Sequence, residues 1–132
     1  QMELLTSIKG IGESIASALI TATGGFANFS NAKQISRFLG LCPTYQQSGT
    51  SVNVKGHINR NGDTHLRGQL YIVAMASSRC NTACRETYER LCDRGKPGKV
   101  ALIAVANKLI RQMFAVVTYN RPYIDGYVSS LA

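Results

Sequence analysis

Apolar residues recur at helical spacing from the second residue onward, and the pattern breaks where glycine or proline intervenes. Met2 to Ile8 reads as a short helix, ended by Lys9-Gly10-Ile11-Gly12. Glu13 to Thr23 resumes the pattern, with Ile15, Ala16, Leu19 and Ile20 on one face and Gly24-Gly25 in the position of a C-cap. Phe26 to Ser30 is a loop whose aromatics, Phe26 and Phe29, are expected to pack inward. Asn31 to Leu39 follows as a helix that Ser30 or Asn31 can cap, closed by Gly40 and Pro43.

The period then changes. Ser51-Val52-Asn53-Val54-Lys55 alternates polar and apolar, which predicts a small β-hairpin or strand pair near residues 45–58. Asn61-Gly62-Asp63 is a turn signal, after which Asp63 or Thr64 can cap a helix reaching about Ser78, with Leu66, Leu70, Val73 and Ala74 toward the core. Ala83 to Cys92 reads as a polar helix. Arg94-Gly95-Lys96-Pro97-Gly98-Lys99 is a basic loop that launches an apolar helix from Val100 to Val117, and a weakly patterned tail begins at Thr118. No stretch repeats another. The fold class expected is mainly α: one compact domain over residues 1–132, with a helix-hairpin-helix-like element over residues 4–25 and the small β element in the middle.

Composition narrows the function. At 132 residues the chain can bury a core without disulfides or a structural metal. Its mean hydropathy of −0.04 is that of a soluble globular domain. Fifteen Lys and Arg against seven acids leave a net charge of +8, which predicts attraction to a polyanion, most simply nucleic acid; a merely basic surface would give the same count. The Val100–Val117 helix contains Lys108, Arg111 and Gln112 and reads as too polar to span a bilayer, so no membrane partner is expected. The cysteines, Cys42, Cys80, Cys84 and Cys92, include no CxxC pair and resemble neither a disulfide framework nor a zinc site. No secretory signal is visible, and Gln1 before Met2 suggests a piece of a longer protein.

Candidate chemistry lies in two places. In Lys9-Gly10-Ile11-Gly12 the glycines allow a tight turn before a helix N-terminus, whose unpaired N–H groups and partial positive charge suit a DNA phosphate; Lys9 adds a full charge. A plain connector between helices would carry the same glycines. Ser48-Gly49 lies in a polar segment, with Arg60, His65 and Arg67 following. A hydroxyl on a Gly-flanked loop can attack a phosphodiester, and cations can hold the phosphate, yet Ser-Gly is also an ordinary turn. Lys96, Lys99, Lys108 and Arg111 complete the basic inventory; Lys108 and Arg111 are either a phosphate-binding edge or cations snorkelling at a helix rim. The acids form no evident metal-binding set, so no cofactor is expected in this domain.

Four segments, taken in order, carry a resemblance: SIKGIGESIASALI, RFLGLCPTYQQSG, KGHINRNGDTHLRGQL and RGKPGKVALIAVANKLIRQMF. They resemble the C-terminal transposase domain of insertion-sequence transposases that carry a DEDD-type RuvC-like N-terminal domain, grouped with the pilin-gene DNA invertases. The likeness runs from about Leu4 to Tyr123. It implies that Ser48 is the nucleophile, leaving a phosphoserine–DNA link, in concert with acidic residues and Mg²⁺ in an N-terminal domain that this chain lacks. It also implies that Arg60 and Arg67 lie near DNA, that the full-length protein is a homo-oligomer acting in the bacterial cytoplasm at the nucleoid, and that this piece alone is inactive. The insertion-sequence branch uses a structured guide RNA, whereas the invertase branch recombines fixed sites. Asn107 departs from the pattern, standing where such proteins often carry a basic residue. Three functions follow: the serine-bearing half of a DNA recombinase; alternatively, a non-catalytic helix-hairpin-helix nucleic-acid-binding module; and, third, a protein-interaction domain whose basic charge serves solubility.

Overall fold

The computed structural model describes residues 1–41 and 64–125. Helices over Met2–Thr6 (α1), Glu13–Thr23 (α2), Ala32–Phe38 (α3), Thr64–Cys80 (α4), Thr82–Asp93 (α5) and Gly98–Tyr119 (α6) account for most of the described residues, and no strand occurs among them. The β element expected near residues 45–58 lies outside the described residues, as do Ser48, Arg60, Cys42 and His57.

The organising element is α6. Ala101, Leu102, Val105, Ala106, Leu109, Ile110, Met113 and Val116 are buried along it. That spacing spreads buried side chains over about half its circumference, so it is covered by more than one neighbour. It packs against α4, α5, α3 and α1. By length and apolarity, with a window hydropathy of 1.7, this helix could cross a membrane, contrary to the expectation that Lys108, Arg111 and Gln112 make it too polar. Its packed faces give it the place of a core helix. Leu70 and Ala74 of α4 are fully buried, Leu66 nearly so, while Val73 is only half-buried. Each large aliphatic side chain buried this way contributes about 1.5–3 kcal/mol.

Local chemistry sets the helix ends. Gly24 adopts the left-handed conformation and closes α2 by donating its N–H to Ile20. Asn31 caps α3, its side chain accepting from the Gln34 N–H at 3.0 Å. Phe26 is buried, and Phe29 meets Phe38 edge-on, with ring centroids 5.4 Å apart. Asn81 is the sole residue between α4 and α5 and caps α5 by accepting from the Cys84 N–H. Because one residue joins them and both pack on α6, α5 folds back along α4. α6 begins at Gly98, directly after Pro97, two residues before the expected start.

Candidate nucleic-acid interface

The turn Ser7–Gly12 sits between α1 and α2, and its backbone is fixed against the joint between α4 and α5. Gly10 has φ +104°, a conformation that side-chain-bearing residues rarely adopt. A Cβ placed on it would lie 1.9 Å from Ser77 Oγ and 2.9 Å from Ser77 Cβ. Glycine is therefore required twice, for the dihedral and for the close approach to α4. The neighbouring Lys9 carbonyl accepts from Asn81 Nδ2 at 3.2 Å and from Ser77 Oγ at 3.4 Å, while the Lys9 side chain is exposed. Gly12 plays a different part. It is the exposed N-cap residue of α2, open to space where a Cβ would stand. Its carbonyl accepts from Ala16, and the Ile11 N–H is taken by Ile8 at 3.0 Å.

Asn81 is fully buried and gathers distant stretches of chain. Its amide exchanges hydrogen bonds with the Gln112 amide of α6, Nδ2 donating at 2.9 Å and Oδ1 accepting at 3.3 Å. The Tyr123 hydroxyl lies 3.0 Å from both Asn81 Oδ1 and Asp125 Oδ1. With one proton it donates to one of them at a time, and the charged carboxylate is the stronger acceptor. Asp125 in turn accepts from the Thr82 N–H at 2.9 Å and the Thr82 hydroxyl at 2.6 Å. Those bonds pull its carboxyl below the usual carboxylate range, helped by Tyr123 and by the nearby Lys9 charge, against partial burial. Burial, then the bond to Asp125, raises the Tyr123 phenol well above its ordinary value. The Tyr123 N–H donates to Ser7 Oγ at 2.8 Å, so the tail is tied to α1 as well as to the joint.

This arrangement divides the basic residues singled out from sequence. Lys9 and Gly10 stand at the α4–α5 joint, and Gly12 follows two residues on at the exposed start of α2. Lys108 is near the joint, half-buried one helical turn before Gln112 and close enough to Cys84 to affect its thiol. Arg111, beside Gln112, is exposed. Asn107 turns its side chain back onto its own helix, donating to the Ile103 carbonyl at 3.1 Å. Lys96 and Lys99 are exposed at the other end of α6, roughly 20 Å along the helix from Gln112 by its rise per residue. Arg67 lies in the first turn of α4, its guanidinium donating to Thr64 Oγ1 at 3.2 Å. The segment that carries Ser48 and Arg60 joins α4 at Thr64, three positions before Arg67.

Sequence reasoning passed over Asn81, although an Asn between two helical patterns is a cap signal. Its other partners lie 31 to 72 residues away and leave no local trace. Among the described residues no group of three or more His, Cys, Asp or Glu side chains could hold a metal ion.

The family model described as Transposase IS116/IS110/IS902 family matches residues 2–89. The chain is 33% identical over 121 residues to the pilin gene-inverting protein of Moraxella bovis, covering 91% of this chain and 38% of that protein. It is 30% identical over 129 residues to a probable family 20 transposase of Pseudomonas aeruginosa, covering 96% of this chain and 38% of that protein. It is also 32% identical over 114 residues to an uncharacterized 43.6 kDa protein of insertion element IS110 in Streptomyces coelicolor, covering 86% and 28%. The chain thus spans well under half the length of these relatives. A match over two thirds of the chain by the family model, with relatives of this similarity running through nearly all of it, places the chain in the Transposase IS116/IS110/IS902 family.

Proposed function

We propose that this chain is the DNA-binding, serine-bearing part of a DNA recombinase and that Ser48 is its nucleophile. The observation that carries the reading is the similarity over 91% of the chain to a protein named for inverting a pilin gene, reinforced by a transposase family model over residues 2–89. In the proposed reaction Ser48 Oγ forms a bond to a DNA phosphorus as the bond from that phosphorus to one strand oxygen breaks. The serine hydroxyl gives up its proton, and the departing strand end leaves as a free hydroxyl. One phosphodiester replaces another, so no external energy source is needed, and the reversed step on a second strand end completes an exchange. Arg60 and Arg67 orient the phosphate and spread its developing charge. Lys9, Gly10 and Gly12 anchor backbone phosphate as a helix-hairpin-helix element, which positions DNA without reading its sequence. Lys96, Lys99, Lys108 and Arg111 add further contacts. Mg²⁺ and its carboxylates belong, in this reading, to a RuvC-like domain outside the chain, and the described residues supply no cluster to hold it. The full-length enzyme acts as a homo-oligomer in the bacterial cytoplasm, and in the insertion-sequence branch a guide RNA is a further partner.

The fixed Lys9–Gly10 backbone also favours a second reading, a non-catalytic nucleic-acid-binding module. A nicked suicide duplex carrying the recombination site separates the two when added with Mg²⁺ to the full-length protein. Wild type and Ser48→Cys are each compared with Ser48→Ala. An adduct that disappears in Ser48→Ala and maps to Ser48 by mass spectrometry supports the recombinase. Recombination by wild type with no adduct at Ser48 removes the serine from the chemistry and leaves a DNA-positioning module.

A further inference from the structure

We propose that the α4–α5 joint is itself a phosphate-binding edge, formed by Arg79 and Arg85 and continuous with Lys9, that takes the phosphodiester backbone of duplex DNA. It rests on the nucleic-acid reading above and extends that reading to residues which neither the hairpin glycines nor the family motifs mark.

Arg79, Arg85 and Lys9 are all exposed. They come from three stretches of chain but are tied to one place. Arg85 Nη2 donates to the Arg79 carbonyl at 3.1 Å, across the end of α4. Asn81, two residues on, holds the Lys9 carbonyl at 3.2 Å. The joint is a single buried residue with partners on α5, α6, the turn and the tail, so these cations stand on a rigid base. Preorganised cations lose less freedom on binding than cations on mobile loops. The bond to Arg79 uses one of the five guanidinium N–H donors of Arg85, which leaves its fork able to meet phosphate oxygens. The acid drawn into this corner, Asp125, is already engaged by Thr82 and Tyr123. Glu86 and Glu89 follow Arg85 along α5 and limit the basic edge in that direction. An edge of this kind neutralises phosphates and does not read bases.

The test is the salt dependence of binding by the full chain to labelled duplexes of two unrelated sequences and to one double-stranded RNA. Arg79→Gln with Arg85→Gln removes both charges, while the glutamine amide keeps a donor for the Arg79 carbonyl. Lys33→Gln with Arg37→Gln on α3 makes the same change in net charge elsewhere. On both DNA sequences the joint variant is expected to flatten the fall of log K with log salt by about 1.8, roughly 0.9 for each lost phosphate contact. The α3 variant is expected to flatten it far less. Arg79→Gln alone, which removes no bond at the joint, should give about half the effect and serves if the double variant loses its circular dichroism signal. Equal flattening by the α3 variant, an unchanged slope, or a change confined to RNA would each overturn the proposal while leaving wild-type DNA binding intact. Wild-type binding that ignores salt would instead overturn the nucleic-acid reading on which it rests.

Discussion

Gly10 and Ser77 approach so closely that the space a Gly10 Cβ would need is already filled, 1.9 Å from the serine oxygen. Gly10→Ala must therefore either break the turn or push α4 away, and it must also hold alanine at a positive φ. A loss of roughly 2–4 kcal/mol is expected, read from the urea midpoint. Ser77→Gly, which removes the obstructing Oγ and Cβ, should restore part of it. A Gly10→Ala protein within half a kcal/mol of wild type would show that the turn does not sit against α4.

Asn81→Ala should be among the most damaging single changes at a polar position. It deletes the α5 cap, removes the shorter of the two bonds to the Lys9 carbonyl and takes both bonds from the Gln112 amide, around a position that is itself fully buried. Cap loss and unsatisfied groups together suggest about 2–4 kcal/mol. Asn81→Asp keeps the cap but removes the donor to both the Lys9 carbonyl and Gln112 Oε1, so thermal unfolding should place it well below wild type. If Asn81→Asp matched wild type, the bonds from the Asn81 amide nitrogen to Lys9 and Gln112 would contribute nothing.

Stability should decline at both ends of the pH scale for identifiable reasons. The Asp125 carboxyl is held low by Thr82, so its contribution is present above the unfolded carboxylate pKa and is lost as pH falls through the lowered value. Tyr123 is held high, chiefly by burial, so its contribution is complete below the unfolded phenol value of about 10 and is lost as pH rises through the raised one. Melting temperatures across pH should show the acid limb shrinking in Asp125→Asn and the alkaline limb shrinking in Tyr123→Phe. Unchanged limbs in these variants would assign the pH response to other groups.

Thiol reactivity offers a test of packing that needs no substitution. Burial pushes the Cys84 thiol up to about 12, whereas Cys80 is exposed. At pH 8 only roughly one Cys84 in ten thousand is a thiolate, so iodoacetamide should label Cys80 long before Cys84 in the native state. Site-resolved mass spectrometry decides it. Labelling of both at similar rates without denaturant would mean that α5 is not seated on the core.

Much of this helical framework is legible in the sequence because its signals are local. The apolar spacing of Glu13–Thr23, the glycine that ends it and the asparagine that caps α3 each act within a few residues, and each stands as expected. Helix ends shifted by a residue or two where Pro97 and Asn81 set boundaries that periodicity alone does not. Lys9, Gly10 and Gly12 were visible as a turn before a helix, but local sequence offered no means to see that Gly10 faces inward onto Ser77. Arg79 and Arg85 carry no local mark, since their convergence depends on a fold-back at one residue. The serine proposed as nucleophile has only a weak local signal, a hydroxyl on a Gly-flanked polar segment ahead of Arg60 and Arg67, and family likeness is what singles it out.

The tie between Tyr123 and Ser7 spans 116 residues. Contacts so distant in sequence close late, because a long loop must be ordered before they form. During synthesis, Lys9 and Gly10 leave the ribosome well before Ser77, Asn81, Gln112 and finally Tyr123, which must arrive before their backbone is held. A chain interrupted before Tyr123 would carry the whole turn sequence without a finished mount for it, so the basic edge is assembled only once translation has passed α6.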